Sequence, residues 1–160
     1  MVVALLARCR NARHAMLTVL LVDDDLENRW ALQLALESCG HHVLLAENGR
    51  DALQKAAREI PRLIITDWQM PEMDGAEMCR RLRCQPALAN IPVVLLSALQ
   101  EPEIGPRYWS AFLRKPASLN ILMHTVDLFL AGRLTSAKLA PNCEEARPSR
   151  WRPVDSRCWP

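Results

Sequence analysis

The chain has 160 residues, 50% of them hydrophobic and 24% charged, with a formal net charge of +2. That length suits one domain with a substantial core and excludes a second domain of similar size, and the apolar content excludes disorder as the overall state. Residues 1–16 carry three arginines and no acid, residues 132–160 carry six basic against three acidic residues, and the middle is left at −4, so no basic face for nucleic acid is expected on the folded part.

Residues 1–7 are apolar but too short to span a bilayer, and the arginines follow them where a signal peptide would carry them first. Residues 1–16 therefore read as a flexible extension, with no membrane association and a cytoplasmic location. Residues 17–22, LTVLLV, form a continuous apolar run, as expected of a parallel strand covered on both faces. The run delivers Asp23, Asp24 and Asp25. Residues 26–39 read as a helix with Leu32, Leu36 and Cys39 inward, stopped by Gly40. A short strand over 42–46 and a helix over 48–58 follow, the latter burying Ala52, Leu53 and Ala56.

Residues 63–66 form the third strand, ending at Asp67, and a helix over 75–83 turns Met78, Cys79 and Leu82 inward. Residues 92–96 form the fourth strand, followed by Ser97. A helical segment from about 102 to 108 is weakened by Gly105 and Pro106. Residues 111–113 read as a fifth strand, and 117–131 as a last helix with Leu122, Val126 and Phe129 on one face. Residues 132–160 hold four prolines and few aliphatics, and read as a disordered basic tail. The five alternations of strand and helix predict an α/β fold with one parallel sheet and helices on both sides.

In such a sheet, ligands sit beyond the carboxyl ends of the strands. If the first and third strands are neighbours, Asp23, Asp24 and Asp67 converge there, and their mutual repulsion calls for a counterion. Mg²⁺, a hard cation that takes oxygen ligands, answers that need, with Asp25 left to cap the following helix. Ser97 offers a hydroxyl at the end of the fourth strand and Lys115 a cation after the fifth. Pro116 holds Lys115 extended and can begin the helix behind it. Together they form a receptacle for a phosphoryl group, with Asp67 as the nucleophile. Singly, each is more often a cap or a surface junction; their placement at four strand ends is what carries the reading.

The pieces VLLVDDD at 19–25, ITDWQMPEMDG at 65–75, LLSA at 95–98 and FLRKP at 112–116 resemble the receiver domains of bacterial two-component response regulators, of the chemotaxis-receiver-like kind. The resemblance runs over about residues 17–131. It implies a doubly wound, flavodoxin-like five-stranded sheet of order 2-1-3-4-5, with Asp67 as phosphoacceptor. It implies a metal site of Asp23, Asp24, Asp67 and the backbone carbonyl of Gln69, holding Mg²⁺ with Mn²⁺ as a substitute. Ser97 and Lys115 match the family's hydroxyl and lysine, and Ser97 with Phe112 its switch pair. Leu99 falls where access of hydrolytic water is set.

The implied donor is the phosphohistidine of a sensor histidine kinase or a histidine phosphotransfer protein, and the implied output is contact with a downstream protein. The chain is expected to be a monomer or a phosphorylation-dependent homodimer, without direct nucleic-acid binding. Its chemistry would be self-phosphorylation and slow autodephosphorylation, not conventional turnover. With 29 residues after residue 131, no typical folded DNA-binding output domain is expected in the given sequence.

The departures from the family's pattern sit on the output side. Tyr108 and Trp109 stand where receivers carry small residues, either as an exposed binding surface or inside a locally altered core. The cysteines lack CxxC spacing, so Cys39, Cys79 and Cys84 read as thiols in a reducing compartment. The four scattered histidines form no zinc set, and no phosphate-binding glycine loop for ATP or NAD is present. Two other functions compete: a phosphorylation-independent receiver-like interaction module, and a small phosphatase with an aspartyl nucleophile, disfavoured by the lack of a cap domain.

Overall fold

The computed structural model describes residues 16–101 and 106–132. Its elements in chain order are β1 (Thr18–Val22), α1 (Leu26–Ser38), β2 (His42–Ala46), α2 (Gly49–Glu59), β3 (Leu63–Asp67), α3 (Gly75–Arg83), β4 (Val93–Ser97), β5 (Ala111–Arg114) and α4 (Leu119–Leu130). The strands form one sheet in the order β2-β1-β3-β4-β5, every neighbouring pair parallel. The doubly wound, flavodoxin-like arrangement expected from the sequence is therefore present.

The continuous apolar strands have the physical basis the sequence suggested. In β1, Leu20 and Val22 pack under Ala52, Met78 and Leu82 of α2 and α3, while Val19 and Leu21 pack under Leu36, Leu122 and Val126 of α1 and α4. A strand buried on both faces has no polar side to alternate with. Each helix starts on a side-chain cap: Asp25 accepts from the backbone N–H groups of Glu27 and Asn28, Asn48 from Asp51, Asp74 from Glu77 and Ser118 from Ile121.

The register places the functional ends together. Val22 pairs with Thr66, Asp67 with Leu96 and Ser97 with Arg114. Asp23, Asp67, Ser97 and Lys115 consequently leave the sheet along one edge.

Several expectations are corrected. Asn48 caps α2 and does not begin it. Ser118, not Pro116, opens α4, and the Lys115–Pro116 bond is cis. The expected helix over 102–108 falls partly outside the described residues, and 106–108 are not helical. There Pro106 lacks a backbone donor, and the chain instead carries Trp109 into the core, where it is 7% exposed. Its indole N–H donates to Glu101 Oε1 at 2.8 Å, and its ring lies 5.4 Å from that of Trp68. Trp109 is thus no exposed output anchor; burying a large ring with its polar atom bonded is the favourable outcome. Tyr108 is half-buried against the same cluster.

Cys79 is a buried thiol whose pKa is pushed up to about 12 by that burial, and Cys84 is exposed and in no disulfide. Cys39 is corrected: half-buried at the end of α1, it is disulfide-bonded and not a thiol. Among the described residues no helix is long and apolar enough to cross a membrane. The calls on residues 1–15 and 133–160 lie outside the described residues.

Candidate functional site: an acidic crevice at the sheet edge

Asp23 and Asp24 follow β1, and Asp67 ends β3, so neighbouring strands deliver the three carboxylates to one place. One oxygen from each lies within 4.8 Å of the others. Asp23 is 2% exposed, Asp67 is half-buried and Asp24 faces solvent. Asp23 Oδ1 accepts the backbone N–H of Asp25 at 2.8 Å.

Lys115 reaches in from the end of β5. Its Nζ donates to Asp67 Oδ2 at 2.8 Å and lies 3.7 Å from Asp23 Oδ2. Burial would push the ammonium pKa down, but the hydrogen bond and charge of Asp67, with the charge of Asp23, outweigh it and raise it. The Asp23 carboxyl is raised, chiefly by burial; the Asp25 N–H and Lys115 oppose this, and Asp67 and Asp24 add to it. One ammonium does not balance three carboxylates. The all-oxygen donor set around a buried Asp23 fits a hard divalent cation of the Mg²⁺ type.

Ser97 is fully buried at the end of β4, with its Oγ accepting the Leu99 N–H at 3.0 Å. Its carbonyl accepts the Lys115 N–H at 2.7 Å, which ties the two strand ends together. Leu99 itself is 54% exposed. Gln69 is exposed on the loop two residues past Asp67. Phe112, in register with Leu95, is half-buried with its ring 6.0 Å edge-on from that of Trp68.

The loop after Asp67 is fixed by its own backbone. Trp68 N–H donates to Asp67 Oδ1 at 2.7 Å and to the Leu96 carbonyl at 2.8 Å, and Gly75 N–H donates to the Trp68 carbonyl at 2.8 Å. Any Cβ at Gly75 would collide with the carbonyl of Asp67 and with Leu95, so the close approach requires glycine.

Asp23, Asp24, Asp67 and Lys115 are therefore in contact or nearly so, Ser97 adjoins them through the backbone, and Gln69 and Phe112 flank the group. Sequence reasoning missed Arg29, whose Nη1 donates to the Asp23 carbonyl at 2.8 Å, and Trp68, whose ring joins Phe112 to Trp109. The signal for Arg29 was its place on the inward stripe of α1, three residues before Leu32 and seven before Leu36. Beside the crevice opens a pocket of about 520 Å³, walled by Asp23, Asn28, Leu32, Leu96, Lys115 and Leu122 among others.

The family model for the response regulator receiver domain matches residues 19–127. The gliding motility regulatory protein of Myxococcus xanthus is 44% identical over 87 residues, which are 54% of this chain and 11% of that protein. The chain thus spans only a small part of that relative. A solved receiver domain of a signal transduction histidine kinase from Syntrophus aciditrophicus is 34% identical, with a TM-score of 0.66 covering 79% of this chain and 96% of that one. The receiver domain of a sensor histidine kinase from Pseudomonas aeruginosa PAO1, solved with a magnesium ion coordinated in its active site cleft, is 27% identical, with a TM-score of 0.65 covering 73% and 99%. With its sheet order, its three gathered carboxylates and this match over most of its length, the chain belongs to the response regulator receiver domain family.

Proposed function

We propose that the chain is a phosphorylation-operated receiver in which Asp67 accepts a phosphoryl group from the phosphohistidine of a sensor histidine kinase or histidine phosphotransfer protein. The observation that carries this reading is the contact of Lys115 with Asp67 inside the cluster formed with Asp23 and Asp24. In the transfer, an Asp67 carboxylate oxygen bonds to phosphorus as the P–N bond to a phosphohistidine protonated on its other ring nitrogen breaks, leaving an acyl phosphate and a neutral imidazole. Lys115 pairs with the added negative charge, and the Ser97 hydroxyl hydrogen-bonds a phosphoryl oxygen.

Asp23, Asp24, Asp67 and the Gln69 carbonyl would hold Mg²⁺, or Mn²⁺ in its place, and the cation would neutralise charge developing on the phosphoryl oxygens. Ser97 and Phe112 form the switch, Phe112 turning toward space that Ser97 vacates. Downstream signalling passes through protein contacts, in the cytoplasm, from a receiver unit of residues 17–131. The donor has a surface to meet: Leu26, Trp30 and Leu34, four apart on α1 beside the crevice, are 67%, 68% and 58% exposed.

The test is Mg²⁺-dependent labelling with a small phosphodonor and with a phosphohistidine protein, comparing the chain with Asp67→Ala. Labelling is expected in the first and absent in the second. Labelling that survives the substitution puts the phosphoryl group elsewhere, and no labelling of either chain by several donors supports a phosphorylation-independent interaction module.

A further inference from the structure

Two arginines of the domain are buried, Arg29 at 8% and Arg83 at 6% exposure. Burying a guanidinium is costly, and an inward position on a helix is ordinarily filled by an apolar side chain. Arg83 is explained by its carbonyl bonds to Tyr108, Ala89 and Ile91, which staple the segment before β5 to the loop before β4. Arg29 has a different address. Its Nη1 donates to the Asp23 carbonyl, while its Nε is buried and finds no hydrogen-bond acceptor among the described residues. Asp23 and Asp67 pair with Lys115 instead.

The bond to Asp23 completes a clamp on the acidic loop. Arg29 N–H donates to the Asp25 carbonyl, Asp25 N–H donates to Asp23 Oδ1, and the Arg29 side chain holds the Asp23 carbonyl from behind. Fixing that carbonyl fixes the peptide plane between Asp23 and Asp24, and so the directions in which both carboxylates leave the backbone. We infer that Arg29 is a positioning residue of the crevice: through the Asp23 carbonyl it orients the acidic pair for a divalent cation. The inference rests on the crevice being a cation site, as proposed above.

Two effects of opposite sign compete. As a positive charge, Arg29 repels a cation, so removing it would tighten binding. As an orienting group it does the reverse: loss of a residue that holds metal ligands in place typically weakens metal affinity by about 10–100-fold. Orientation is the larger effect here, because the guanidinium donates to a main-chain oxygen, while the ion pairs of Asp23 and Asp67 are made with Lys115.

The experiment is calorimetric titration of the full chain with MgCl₂, without phosphodonor, for wild type, Arg29→Met, Arg29→Lys and Arg83→Met, alongside thermal melts. Arg29→Met is expected to bind Mg²⁺ about ten-fold or more weakly, with Arg29→Lys between it and wild type. Arg83→Met removes an equally buried arginine bonded to carbonyls elsewhere, and is expected to lower the melting temperature without moving Mg²⁺ affinity. Unchanged or tighter binding in Arg29→Met overturns the inference, as does equal weakening in Arg83→Met. Should the Met chain not fold, Arg29→Lys decides: several-fold weaker binding supports the role and wild-type affinity overturns it. A wild type that binds no Mg²⁺ would instead remove the cation reading of the crevice itself.

Discussion

Lys115 Nζ and Asp67 Oδ2 are 2.8 Å apart although 48 positions separate the residues in the chain. The ammonium offsets part of the repulsion among the three carboxylates. In Lys115→Met that offset is gone, so the folded chain should depend more on an added divalent cation. A cation at a hundred-fold excess over its Kd stabilises a fold by about 2.7 kcal/mol. The expected result is a larger Mg²⁺-induced rise in Tm for Lys115→Met than for wild type; equal rises would show that Lys115 does not share this charge.

Gly75 sits where a methyl group would strike the carbonyl of Asp67. Gly75→Ala must push the β3–α3 loop off its backbone bonds, and overpacking of this kind costs about 1–3 kcal/mol. Urea denaturation should show a lower midpoint at unchanged slope. A stability within error of wild type would mean that the loop moves freely.

Glu77 gives a pH dependence. Its hydrogen bond to Arg80, then its contact with Arg81, hold the carboxyl at about 2, against a usual 4.5, despite opposing burial. The folded value is the lower one, so the stabilisation is complete above 4.5 and fades as pH falls towards 2. The side chain is about a third exposed, so solvent screening limits the contribution to about 1 kcal/mol or less. Glu77→Gln should therefore be slightly less stable than wild type near neutrality, with the gap closing as acid is added. A gap that widens in acid would contradict the assignment.

Trp30 tests the donor surface. Trp30→Ala should slow phosphotransfer from a histidine-phosphorylated protein by about ten-fold or more, as loss of an aromatic anchor does, while labelling by a small phosphodonor stays at the wild-type level. Equal loss with both donors would place the defect in the crevice and not in docking.

The sheet and most of the crevice were legible because each signal is local. An apolar run ending in a polar or charged residue marks a strand end, and four such ends in order, at Asp23, Asp67, Ser97 and Lys115, fix which side chains meet. Arg29, Trp68 and Trp109 were harder, for a common reason. Their roles come from where another element lies: Arg29 from the backbone of β1's end, Trp68 and Trp109 from each other across the β4–β5 side. Composition near Trp109 left exposed and buried readings open, and its bond to Glu101 decides for burial. Pro106 weakens a helix, as read, but the competing pull of an indole into the core has no sequence period to reveal it.

The 2.7 Å bond from Lys115 N–H to the Ser97 carbonyl joins the residue that would feel a phosphoryl group's charge to the one that would hold its oxygen. Neither backbone can shift alone without breaking that bond, although both side chains remain free to turn. A shift of the Ser97 backbone toward Asp67 would therefore draw the Lys115 backbone with it, and only three residues, 116–118, separate that point from α4.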